Sequence, residues 1–309
     1  MRVLFMGTPD FSIPTLRALA QNGEEIVGVV TQPDKPKGRG YAMLPPPVKS
    51  FAFESGFEVY QPETLRGDDF ASLLEKLDPE MIVVVAYGKK LPTNVLDYPK
   101  YGCINVHGSI LPEYRGAAPM QRAIIDGKSE TGVTIMYMAE GMDTGDMLLI
   151  EKCPIGENDN FEDIHDRLSE LGAIALIKAV ELIKQGKAER TVQDDSLATH
   201  AAKIEKEDCL IDFSHSAKAV HDRIRGLSPI PLAFTHTPDK KLLKVLESRV
   251  VNEKSDAPAG TVISVGDDIR VACADGVVAI LRVLPEGKGR MSAADFVRGR
   301  KIKVGDLLS

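Results

Sequence analysis

The feature that most constrains this chain is a set of short apolar runs, RVLFM (2–6), EIVGVVTQ (25–32), MIVVVAYG (81–88) and GCINVHG (102–108), each followed by a segment with helical spacing. A strand that is apolar at every position, not at every second one, has no face left for water. Such strands belong inside a sheet covered on both sides. The intervening segments GTPDFSIPTLRALAQNG, VKSFAFESG and DDFASLLEKLD supply the covering helices, and APMQRAIIDG continues the series. GVTIMYM and DMLLIEKCPI close it with two more strands. Strand and helix in alternation predict α/β architecture with a doubly wound, mostly parallel sheet.

The longest helical pattern, NFEDIHDRLSELGAIALIKAVELIKQG, covers 160–186. A polar stretch with weak periodicity follows it and reads as a linker. Beyond it the style changes. LAFTH, KLLKVLESRVV, GTVISV, DIRVACADG and VVAILRVLP read as short antiparallel strands, with HSAKAVHDRIRGL and SAADFVRGRKI as helices. The expected division is an α/β domain over 1–189, a linker over 190–207 and a small OB-like β-barrel domain over 208–309.

Bulk properties exclude several classes. The net charge of the 309 residues is −7, so the surface as a whole does not suit polyanions, although residues 206–309 carry 17 Lys and Arg against 14 Asp and Glu. The four cysteines, Cys103, Cys153, Cys209 and Cys273, form no C-x-x-C and no cluster with metal spacing, which fits reduced thiols in a cytoplasmic protein. No apolar run approaches the roughly 20 residues that span a bilayer. The first turn, MGTPDFS, has one glycine where a dinucleotide site uses G-x-G-x-x-G, and there is no P-loop. The sheet is therefore expected to be Rossmann-like without being a nicotinamide site.

The chemistry points to the end of the fourth run. Asn105 and His107 stand two apart, so on a strand they project to the same side just where it enters a loop. Ligands in such sheets bind at that end. Of six histidines, His107 alone has this setting. A base and an oxyanion donor together suit acyl transfer. Asp143, in EGMDTGD, is the candidate carboxylate to orient His107. No Ser or Cys sits in a nucleophile elbow, which favours direct transfer without an enzyme-bound intermediate.

NVHGSILPEYRGAAPMQRAI followed by ETGVTIMYMAEGMDTGDML resembles the signature of the 10-formyltetrahydrofolate-dependent formyltransferases. MGTPDFS, VVTQPDKPKGRG, PVK, VVAYGKKLP and KIEKEDCLIDFSHSA extend the likeness over nearly the whole chain, toward members whose acceptor is initiator methionyl-tRNA. The resemblance implies transfer of a formyl group from 10-formyltetrahydrofolate, with no metal, to the α-amine of that aminoacyl-tRNA. It implies Asn105, His107 and Asp143 as catalytic residues. It also implies Ser109, Ile110, Leu111 and Pro112, with Tyr87 and Gly88, as the folate wall. Lys35, Lys37 and Arg39 fall in the stretch that reaches the tRNA acceptor end. The expected partners are initiator methionyl-tRNA and a folate, the expected state a monomer without membrane association.

GLSPIPLAF (226–234) departs from the aromatic-rich segment common in that group, and the chain has no Trp. The rival reading is a formyltransferase acting on a nucleotide-linked amino sugar, with the same Asn, His and Asp. The basic stretch at 35–39 and the RGAAP context favour tRNA. A folate- or RNA-binding protein without catalysis would have no use for the three polar groups together.

Overall fold

The computed structural model describes residues 1–37, 42–299 and 301–309. The chain packs into two compact units. The first comprises Met1–Gly116, Gly132–Cys153 and His165–His200; the second comprises Ala117–Thr131, Pro154–Ile164 and Ala201–Ser309.

The first unit holds a seven-stranded sheet. From edge to edge its strands are Met147–Pro154, Glu130–Tyr137, Cys103–His107, Met81–Val85, Arg2–Gly7, Glu25–Val30 and Val59–Tyr60. The five from Cys103–His107 to Val59–Tyr60 run parallel, and Glu130–Tyr137 lies antiparallel to Cys103–His107. The chain builds outward from Arg2–Gly7 in one direction, then returns to add Met81–Val85 on its other side. That reversal is the doubly wound topology expected from the sequence.

The uninterrupted apolar runs follow from this burial. Along Arg2–Gly7, Leu4 and Met6 join the cluster formed by Phe70, Leu74, Ile82 and Val84, while Val3 and Phe5 are buried on the opposite face. Helix Phe161–Lys184 covers that opposite side of the sheet through Gly172, where an added Cβ would press on the side chain of Val106. All four cysteines are buried and unbridged. No helix among the described residues is long and apolar enough to cross a membrane.

The second unit is β-rich. Its antiparallel sheet orders the strands Ala233–His236, Leu242–Val251, Val277–Pro285, Ile269–Ala272 and Val262–Val265, with Met291–Ser292 paired to Val277–Pro285. The two outer strands are joined by residues 306–309. Val262 N donates to Asp306 O at 2.8 Å and Leu308 N to Gly260 O at 2.9 Å, while His236 N donates to Ser309 O at 2.8 Å. This segment bridges both free edges and closes the sheet into a barrel, which removes the edges that would otherwise recruit other strands. Helix Ala217–Gly226, capped by Ser216 Oγ on Ala219 N, buries Val220, Ile224 and Leu227 in the barrel core. On its other side lies a buried polar group. Arg225 bonds Asp222 at 2.8 Å and donates to Gly156 O and Asp159 O at 3.1 and 2.7 Å.

Candidate active site

The site lies in the first unit, at the carboxyl end of Cys103–His107. On this strand Ile104 and Val106 face the helix side, while Cys103 faces the apolar cluster. Asn105 and His107 continue the Cys103 face, so it changes from apolar to polar over its last residues. His107 is only 6 % exposed. Its Nε2 lies 3.0 Å from the main-chain oxygen of Tyr114. A carbonyl only accepts, so Nε2 carries the proton and Nδ1 is the nitrogen left to receive one. Nδ1 faces Asp143 Oδ2 at 3.6 Å, too long for a hydrogen bond but within ion-pair range once Nδ1 is protonated. The half-buried amide of Asn105 stands on the same side of the strand.

The loop 108–114 returns to the sheet through polar anchors. Thr134, directly opposite His107 in the antiparallel register, donates to Ser109 O at 2.7 Å and accepts from Leu111 N at 3.1 Å. Ser109 Oγ donates to Glu113 O at 2.6 Å. The hydroxyl of Ser109 is thus committed within the loop, and Leu111 is buried. Ile110 and Pro112 are the more exposed pair of the four.

The other wall lies at the reversal of strand order, where the loops after Arg2–Gly7 and Met81–Val85 meet. Ser12 Oγ donates to Val85 O at 2.7 Å, and Thr8 Oγ1 and Gln32 Nε2 donate to Tyr87 O at 3.0 and 3.1 Å. The Tyr87 ring is turned into the apolar cluster beside Leu91 and Val95, and burial pushes its phenol up to about 12. Its neighbour Gly88 has φ +84° with open space where a Cβ would stand. Of this pair, the glycine is exposed and the tyrosine ring is buried.

Asp143 sits in the loop between Glu130–Tyr137 and Met147–Pro154 with φ +53°, a left-handed conformation uncommon for a residue with a side chain. Its Oδ2 accepts from Gly116 N at 2.9 Å. Gly145 lets the loop double back, because a Cβ there would collide with the main-chain oxygen of Tyr137. Gly145→Ala should therefore displace Asp143 and lower activity at least about tenfold. Gly266→Ala, with nothing within 4 Å of the new carbon, is the matched control. Assay of both purified variants checks this.

The structure brings Asn105, His107 and Asp143 together. Lys35 and Lys37 lie on the strand Lys35–Lys37, paired with Ala42–Leu44 in a small hairpin. Lys35 is exposed, and Arg39 lies outside the described residues. Lys49 is engaged by Asp34 and Gln61 at 2.8 and 2.7 Å. Arg115 of RGAAP is bound to Gln193 and Asp195. Sequence reasoning missed Thr134, Gln193 and Thr199, whose Oγ1 accepts from Tyr114 N at 2.8 Å.

Comparison with known proteins shows the family. A formyl transferase domain model matches residues 1–180, and a formyl transferase C-terminal domain model matches 203–301. The chain belongs to the formyl transferase family. A methionyl-tRNA formyltransferase of Citrifermentans bemidjiense is 48 % identical over 309 residues, 100 % of this chain and 96 % of that one. Among solved folds, an N-formyltransferase from Helicobacter canadensis, in complex with folinic acid and dTDP-3-aminofucose, superposes with TM-score 0.68 at 18 % identity, covering 91 % of this chain and 98 % of its own. HypX from Aquifex aeolicus superposes with TM-score 0.67 at 18 % identity over 96 % of this chain; the chain spans about half of HypX, 48 %.

Proposed function

We propose that this chain transfers the formyl group of 10-formyltetrahydrofolate to the α-amine of initiator methionyl-tRNA, giving formylmethionyl-tRNA for translation initiation. The observation that carries the chemistry is the His107–Asp143 pair at 3.6 Å, with Asn105 on the same strand face. The choice of acceptor rests on the full-length relative that bears that name.

In this reading the neutral amine attacks the formyl carbon, and its proton passes to Nδ1 of His107. The imidazolium so formed is held by Asp143 on one side and by the Tyr114 carbonyl on the other. The Asn105 amide donates to the oxygen that gains charge in the tetrahedral intermediate. The bond to N10 then breaks, and the protonated imidazole returns a proton to the departing nitrogen.

The folate lies between the loops at 86–92 and 109–112. Backbone groups of Tyr87, Gly88 and Ser109, with the edges of Ile110 and Pro112, meet the pterin, and the buried Leu111 backs them. Lys35, Lys37 and Arg39 reach phosphates of the acceptor stem, and the β-rich unit contacts the RNA backbone. The division into 1–189, 190–207 and 208–309 belongs to the same reading and is supported by the two family matches. The protein acts as a monomer in the cytoplasm.

The second reading, an amino-sugar acceptor, is favoured by the fold likeness to the N-formyltransferase in complex with dTDP-3-aminofucose. Offering initiator methionyl-tRNA and a nucleotide-linked amino sugar separately, with 10-formyltetrahydrofolate, separates the two. Turnover is expected on the tRNA and absent on the sugar; the reverse result moves the assignment to the sugar.

A further inference from the structure

We infer that Gln193 is a positioning residue for the reaction, holding the loop that presents Asp143 to His107. This rests on the reading of Asp143 as part of the catalytic group. Gln193 belongs to the stretch that follows the long helix and has no regular pattern of its own. Thr191 fixes that stretch to the sheet edge, exchanging two main-chain hydrogen bonds of 2.9 Å with Met147. Two residues on, the Gln193 side chain turns inward and is 8 % exposed.

Its amide is fully used. Nε2 donates to Asp143 O at 2.8 Å and to Gly145 O at 2.7 Å. Oε1 accepts from Arg115 Nε and Nη2 at 3.0 and 2.8 Å. Two donors meet two carbonyls, and one acceptor meets two guanidinium N–H groups. Turning the amide over would set NH2 against the guanidinium and oxygen against two carbonyls, so its orientation is fixed.

The contacts form a closed circuit. Arg115 holds Gln193, which holds the backbone of Asp143. The Asp143 carboxylate in turn accepts from Gly116 N, the residue after Arg115. The circuit constrains Asp143 at both its backbone and its side chain. That constraint is needed where φ is +53° and the carboxylate must stay 3.6 Å from the imidazole. Gln193 is too far along this chain of contacts to meet the reacting atoms; it acts through Asp143.

Loss of the two donated bonds lets the loop relax, and a shift of about 1 Å at a reacting group costs about 100-fold in rate. Gln193→Ala and the near-isosteric Gln193→Glu are both expected to lower kcat by about 10- to 100-fold. KM for the folate and for the tRNA should change less than about threefold, because the residues that bind them are untouched. The Glu variant keeps an acceptor for Arg115 but opposes oxygen to both carbonyls, so it tests the donated bonds with little change in volume.

The decisive measurement adds Gln193→Ala to Asp143→Asn. If Gln193 works through Asp143, the second change costs little once the first is made. Losses that multiply, an unchanged kcat in Gln193→Glu, or a change confined to KM would overturn the inference. Near-normal turnover in Asp143→Asn alone would instead overturn the reading of the catalytic group on which it rests.

Discussion

His107→Ala should lower formyl transfer by about 10²- to 10⁴-fold, the range over which a positioned acid–base group acts. Several features put the result toward the larger end. The imidazole is nearly buried, its Nε2 is held by Tyr114 O, and its Nδ1 has a carboxylate beside it. Water entering the space left by the ring could bond to Tyr114 O and the Asp143 carboxylate, but it lacks the basicity of the imidazole. His107→Gln keeps a polar side chain of similar reach without a proton acceptor of comparable basicity, and it is expected to be nearly as slow. Folate binding should persist in both variants, since the pterin wall is made by other loops. A single-turnover assay beside a folate titration reads the two effects separately. Activity within tenfold of the parent would remove His107 from the mechanism.

The largest expected effect on stability lies in the second unit. Asp222→Ala leaves the Arg225 guanidinium buried with only the oxygens of Gly156 and Asp159. Removing one partner of a buried ion pair costs about 3–5 kcal/mol, most of it the desolvation of the charge left behind. Lys218, which also donates to Asp222 at 2.5 Å, is largely exposed and returns to water at little cost. Asp222→Asn keeps one acceptor for Arg225 Nε and should lose less. Hydrogen exchange of the helix Ala217–Gly226 and the strand Leu242–Val251 reports this unit without requiring the whole chain to unfold at once. A loss below about 1 kcal/mol in Asp222→Ala would mean that the cation is hydrated.

These two outcomes differ in how far they could be foreseen from the residues. Asn105 and His107 were legible because their spacing matches the strand period, and the strand itself because both its faces are buried. Asp143 stood out through its flanking glycines. The Asp222–Arg225 group was hidden in an ordinary helical pattern, since nothing local marks a charged side chain as buried. Gln193, Thr134 and Thr199 were hidden for a related reason. Their partners are 23 to 85 residues away in sequence, and no local period encodes such pairings. The pairing of Lys35–Lys37 with Ala42–Leu44 was not foreseen, because K-P-K and A-M-L show neither β-branched enrichment nor alternation. The resemblance implied Tyr87 in the folate wall, yet its side chain lies in the apolar cluster.

The segment that seals the barrel also sets the order in which the second unit can be completed. During synthesis the strands from Ala233 to Pro285 are made before residues 306–309. Until then His236, Gly260 and Val262 have unanswered main-chain groups along two open margins. Without that segment the sheet is a ribbon with two adhesive borders, the arrangement most exposed to pairing with another chain. Removing residues 306–309 would leave the ribbon unzipped and cost this unit its seam.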